Sequence, residues 1–144
     1  MDKFMREAIS QAQQGLASDG IPIGSVLVKD GKIIGRGHNQ RVQEANPVMH
    51  AEIHCLQNAG RIGTYRGTTL YSTLMPCYLC AGAVVQFGIK KVIAGESVTF
   101  SGTRKFMESM GVEVEDWDLD ECKKLMREFI EKNPALWNED IGKL

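Results

Sequence analysis

His50-Ala51-Glu52 and Pro76-Cys77-Tyr78-Leu79-Cys80 are the two stretches on which the reading of this chain turns. Together they bring one imidazole, two thiols at i and i+3, and a carboxylate two residues from the imidazole. A zinc ion held by three protein ligands keeps its fourth position for water, whereas a purely structural zinc normally takes four. His50, Cys77 and Cys80 are therefore expected to ligate one zinc per chain. Glu52, which is not needed as a ligand, is left to move protons beside an activated water. A CxxC alone would suit a redox pair, but that chemistry gives no reason for His-x-Glu upstream. His54 stands at i+4 from His50, a spacing that can chelate zinc on a helix. His50-Ala51-Glu52-Ile53-His54 is nevertheless not H-E-x-x-H, because Glu52 falls one residue out of register. A polar, non-ligand role is expected for His54, and Cys55 and Cys122 are expected to be small core or surface thiols.

Outward from these motifs the chain alternates. Phe4, Ala8, Ile9, Ala12 and Leu16 recur at helical spacing over residues 3–18. Gly20 and Pro22 stop that helix. Two β-prone runs, residues 25–28 and 33–37, flank Asp30-Gly31, a strong hairpin signal. Residues 50–59 read as a helix closed by Gly60, and residues 69–73 as a strand. Residues 77–87 read as an apolar helix with Pro76 at its first position and Gly88 after its end. A strand over 91–94, a helix over 103–110, a strand over 112–114 and a helix over 119–132 follow. On the last, Leu125, Phe129 and Ile130 are expected to face inward. Asn133-Pro134 breaks it and leaves a tail, residues 135–141. The order predicts an α/β fold: one mixed five-stranded sheet with helices on both faces. A helical crossover between the fourth and fifth strands lets them run parallel. Both halves of the motif open helices, where the helix dipole favours the thiolates that zinc requires.

At 144 residues the chain fits one domain, expected to span residues 1–144 and to bury roughly 70% of its unfolded surface. Seventeen basic side chains against eighteen acidic ones give a formal charge of −1, which disfavours a large nucleic-acid footprint. No apolar run approaches the ~20 residues of a membrane span. The start is mixed in charge and lacks the apolar core of a signal peptide. A cytoplasmic protein without membrane contact is the expectation, and a thiol pair in that setting points to metal or redox work.

H-x-E followed by P-C-x-x-C is the signature of zinc deaminases of nucleobases, and the chain resembles the cytidine and nucleobase deaminase superfamily. Within it, the chain is most similar to the yeast-type cytosine deaminases. The resemblance extends through residues 20–24, 35–39 and 69–71 to the terminal Trp137-Asn138-Glu139-Asp140-Ile141-Gly142. It implies a three-layer α/β/α cytidine-deaminase-like fold, a homodimer, and hydrolysis of a free base, cytosine to uracil and ammonia, in pyrimidine salvage. It implies zinc on His50, Cys77 and Cys80, with Glu52 as proton shuttle. Asn39 is then expected to bind the polar edge of the base, Phe100 and Trp137 to cover its faces, and Asp140 to accept a hydrogen bond from it. The backbone N–H groups of Ala51 and Cys77 are expected near its oxygens. For Asn39 a plain turn-forming role is the competing expectation. Three residues depart from the family pattern: Met75 before Pro76, and Ser97 and Thr99 ahead of Phe100. They touch the expected pocket wall, so guanine deaminase and tRNA adenosine deaminase stand as alternatives. A zinc-stabilised binding module without catalysis is the alternative of a different class.

Overall fold

The hairpin predicted around Asp30-Gly31 sets the first corner of the sheet. Both residues adopt positive φ, 51° and 74°, as a two-residue turn between twisted strands requires. The structure, a computed structural model, describes residues 2–143. Its elements are α1 (Lys3–Ala17), β1 (Gly24–Lys29), β2 (Lys32–His38), α2 (Ala51–Ala59), β3 (Thr68–Ser72) and α3 (Tyr78–Phe87). They continue with β4 (Lys91–Ala94), α4 (Arg104–Ser109), β5 (Glu113–Asp116), α5 (Asp120–Lys132) and α6 (Pro134–Asp140). The strand order is β2-β1-β3-β4-β5. β1 runs antiparallel to β2 and β3, whereas β3, β4 and β5 are mutually parallel.

Strand alternation divides the core into two layers. Leu27, Leu70, Val92 and Val114 are register partners across four strands. They pack with Cys55 of α2, Ala81 and Val84 of α3 and Met107 of α4. The intervening row, Val26, Tyr71 and Ile93, meets Met5, Ala8 and Ile9 of α1 and Cys122 of α5 on the opposite face. This is the three-layer α/β/α arrangement expected. Two glycines let helices lie directly on strands. A Cβ on Gly24 would come within 2.0 Å of the Ala8 carbonyl oxygen of α1, and one on Gly37 within 2.5 Å of the Cys55 nitrogen of α2. A third cluster, with Ile21, Ile23, Leu74, Met126, Phe129 and Trp137, closes the carboxyl end of β3.

Four boundaries differ from expectation. Pro76 precedes the N-cap, which is Cys77, instead of occupying the first helical position. β5 lies at 113–116, further along than expected. It is an edge strand, where Glu115 and Asp116 keep their charges near solvent and Lys91 pairs with Glu115 at 3.0 Å. The buried side of α5 is Cys122, Met126 and Phe129, with Leu125 and Ile130 only partly covered. The tail is helical: α6 starts on Pro134, whose fixed φ suits a first turn.

Candidate metal centre and substrate pocket

The β3–α3 and β2–α2 connections deliver the motif residues to one point. His50 is the N-cap of α2 and Cys77 the N-cap of α3, and neither caps its helix through its side chain, so both side chains are available elsewhere. Cys80 follows one turn into α3. One donor atom from each of His50, Cys77 and Cys80 lies within 4.8 Å of the others, and His50 Nδ1 is 3.4 Å from Cys77 Sγ. These are the nitrogen and sulfur donors of a tetrahedral zinc site, gathered at the separations that a common ligand demands. His54 is not part of this group. Its Nδ1 accepts the backbone N–H of His38 at 3.1 Å, the non-ligand role expected for it. Cys55 and Cys122 are buried core thiols.

The electrostatics fit a cation at this point. A hydrogen bond from Cys80 lowers the Cys77 thiol to about 4, opposed by burial and assisted by His50. The same bond, with burial, raises Cys80 well above the ordinary thiol range. A divalent cation bound here would favour the thiolate form of both. Burial lowers the His50 imidazole, but Cys77 and the Asp140 carboxylate outweigh it and leave the ring above its ordinary value. Glu52, 4% exposed, is pushed up to about 7 by burial and then by the Cys77 thiolate. A carboxyl poised near neutrality can both take and give a proton.

Beside the cluster lies a small cavity lined by Asn39, His50, Glu52, Cys77, Phe100, Trp137 and Asp140. Ile23, Leu74, Met75 and Ile141 complete its wall. Asn39 is fully buried, and its carboxamide is used at both ends. Oδ1 accepts the N–H of Arg41 at 3.0 Å, the turn role that asparagine often fills. Nδ2 donates to Asp140 Oδ2 at 3.0 Å across the cavity. Phe100 meets Tyr78 edge-on, with ring centroids 5.7 Å apart. Ala51 does not line the cavity; its side chain belongs to the core cluster beneath it. Of the wall residues that the site motifs did not announce, Ile23 and Ile141 fall within the quoted family-like stretches, Met75 stands out only as a departure, and Leu74 carries no signal.

Among the described residues no helix is long and apolar enough to cross a membrane. The sequence profile of the cytidine and deoxycytidylate deaminase zinc-binding region matches residues 1–96. The chain is 43% identical to a cytosine deaminase of Candida albicans over 97% of its own length and 95% of that protein's. It is 45% identical to a tRNA-specific adenosine deaminase of Streptococcus pyogenes, over 65% of its length and 61% of that protein's. A solved guanine deaminase from Nitrosomonas europaea shares the fold, with a TM-score of 0.77, 21% identity, and coverage of 88% of this chain and 82% of that one. The profile match, the full-length relative and a His-Cys-Cys cluster able to hold zinc converge: this chain belongs to the zinc-binding cytidine and deoxycytidylate deaminase family of hydrolases.

Proposed function

We propose that the chain, acting as one domain over residues 1–144, deaminates cytosine hydrolytically to uracil and ammonia. The observation that carries this reading is the closure of the pocket by its own C-terminal helix, with Asp140 inside and hydrogen-bonded to Asn39. The near full-length likeness to the Candida albicans cytosine deaminase supports it. His50, Cys77 and Cys80 would hold the zinc, which when bound would supply a Lewis acid and lower the pKa of a water to ~7. Glu52 takes a proton from the attacking water as the water oxygen bonds to C4 of the base. Glu52 gives that proton to N3, then takes the remaining hydroxyl proton of the tetrahedral adduct and passes it to the exocyclic nitrogen, which leaves as ammonia as the C4–N bond breaks and the C4 carbonyl forms. Asn39 both donates and accepts along the polar edge of the base. Asp140 accepts N1–H, a donor that a free base has and a nucleoside lacks. Phe100 and Trp137 cover the ring faces, and the backbone N–H groups of Ala51 and Cys77 are proposed as donors to the oxygens of the substrate.

Guanine is the next base to consider, given the shared fold. A tRNA substrate is disfavoured by the formal charge of −1 and by the tail across the pocket. A binding module without catalysis has no use for Glu52, a buried carboxyl outside the ligand set. Ammonia release by the zinc-loaded protein, screened across cytosine, guanine, cytidine and tRNA, tests the assignment. Cytosine is expected to exceed cytidine and guanine by far. Preference for either would overturn the cytosine reading and leave the zinc chemistry standing.

A cytoplasmic homodimer completes the proposal. Tyr78, Leu79 and Phe87 of α3 are 72%, 43% and 49% exposed, apolar side chains whose burial against a second copy would contribute substantially. Sedimentation at micromolar concentration should show the dimer.

A further inference from the structure

We propose that Arg41 is a positioning residue: it anchors the C-terminal helix over the pocket and sets the orientation of Asp140. This inference rests on the reading of that pocket as a nucleobase site. Arg41 lies two residues beyond Asn39 in the 39–50 connection, which ends on His50. It is held there from three sides. Its backbone N–H is accepted by Asn39 Oδ1 at 3.0 Å, and its Nε donates to the Pro47 carbonyl at 3.0 Å. Its neighbour Gln40 donates its backbone N–H to Met49 at 2.9 Å, pinning both ends of the loop.

From this fixed base the guanidinium reaches α6. Arg41 Nη1 lies 3.8 Å from Glu139 and 4.0 Å from Asp140 Oδ2, the oxygen that also accepts from Asn39 Nδ2. Arg41, Asn39 and Asp140 thus form a closed ring: Arg41 binds Asn39 through its backbone, Asn39 binds Asp140, and Asp140 returns to Arg41. The side chains of Arg41 and Asp140 are only 10% and 3% exposed, so solvent screens this charge contact poorly. Glu139 sits on the outer side of the same guanidinium at 52% exposure and adds a second, weaker tie. Asn39, the cavity's amide, and Asp140, its carboxylate, are therefore set in register by one cation that does not itself line the cavity. α6 is seven residues long and joined to α5 through Asn133, so it needs such a tether.

A double-mutant cycle tests this. In Arg41→Gln, KM for the base should rise about tenfold with a much smaller change in kcat, less than a fully desolvated unpaired charge costs because the Arg41–Asp140 contact is 4.0 Å long. Zinc should stay at one per chain. Hydrogen exchange should quicken over residues 134–143 and stay unchanged in α2 and α3. Arg41→Gln added to Asp140→Asn should raise KM no more than about twofold beyond Asp140→Asn alone, since both act through one contact. Arg41→Lys, which keeps the charge and loses the fork, should fall between wild type and Arg41→Gln and carries the test if Arg41→Gln folds poorly. Multiplying effects in the double variant, or unchanged tail exchange in the single one, would overturn the proposal. The exchange readout needs no turnover. A wild-type protein inactive on cytosine would thus refute the substrate reading while the anchor is still judged on the tail.

Discussion

The two walls of the pocket are built in opposite ways. The metal wall is local: His50 and Cys77 are helix N-caps, Glu52 and Cys80 follow within the first turn, and the connections leaving β2 and β3, the two strands that flank β1, aim all four. The tail wall is remote: Trp137, Asp140 and Ile141 come from α6 and its end, yet close on Asn39 at the end of β2. The first wall needs only spacing and helix starts, whereas the second needs the whole fold to be in place. The metal wall is thus suited to carrying reactivity, and the tail wall to carrying choice of base and access.

Losses should be steepest on the metal wall. Cys80→Ser, which leaves a hard hydroxyl where a buried thiolate is required, should lower both zinc content and activity to background. Glu52→Ala should retain zinc by elemental analysis and lose 10²–10⁴-fold in kcat, the usual contribution of a positioned acid–base group. A loss below roughly tenfold would remove Glu52 from the proton path. If either substitution acted mainly on KM, the division between reactivity and choice would fail.

The tail wall should respond differently. Deletion of residues 135–144 removes one cover of the ring and the carboxylate facing Asn39. It should lower kcat/KM for cytosine roughly a hundredfold, the scale of misplacing a bound substrate. The metal should stay at full occupancy. It should also narrow the gap between cytosine and cytidine, because the side on which a sugar would sit is opened. A truncated protein that turns over cytosine normally would show that α6 has no part in recognition.

The same contrast explains what was legible in the sequence. The hairpin at Asp30-Gly31, the alternation of helices and strands and the H-x-E and C-x-x-C motifs are each local patterns, and the structure forms the hairpin and mixed sheet and gathers His50, Cys77 and Cys80 into one cluster. Trp137 and Asp140 drew attention only through likeness to a family, since an acidic residue near a chain end is ordinarily solvated. Arg41 carried no signal at all; its partners Glu139 and Asp140 are nearly a hundred positions away. β5 was placed too early because Glu115 and Asp116 are poor strand formers, and only an edge position with Lys91 beside it makes them acceptable. Met75 was visible as a departure, but not its burial at 2% in the cavity wall.

His54 supplies the smallest and most discriminating test, because it stands on α2 close to the metal wall without belonging to it. Sequence spacing leaves it able to chelate with His50; the fold turns it toward β2 instead. Its Nδ1 accepts the His38 N–H, and its ring stands edge-on to His38 with centroids 5.5 Å apart. Burial, followed by the nearby His38, lowers its pKa, so the ring is neutral and free to accept near neutral pH. Removing a half-buried hydrogen bond of this kind costs ~1 kcal/mol, or a fall in Tm of about 2–4 °C for a chain of this size. His54→Ala should therefore show that modest thermal shift, keep one zinc per chain, and stay within about threefold of wild-type activity. Loss of zinc, or a tenfold fall in kcat, would make His54 a ligand or a proton carrier. The metal wall would then contain a fourth protein donor, and the open coordination position on which hydrolysis depends would have to be given up.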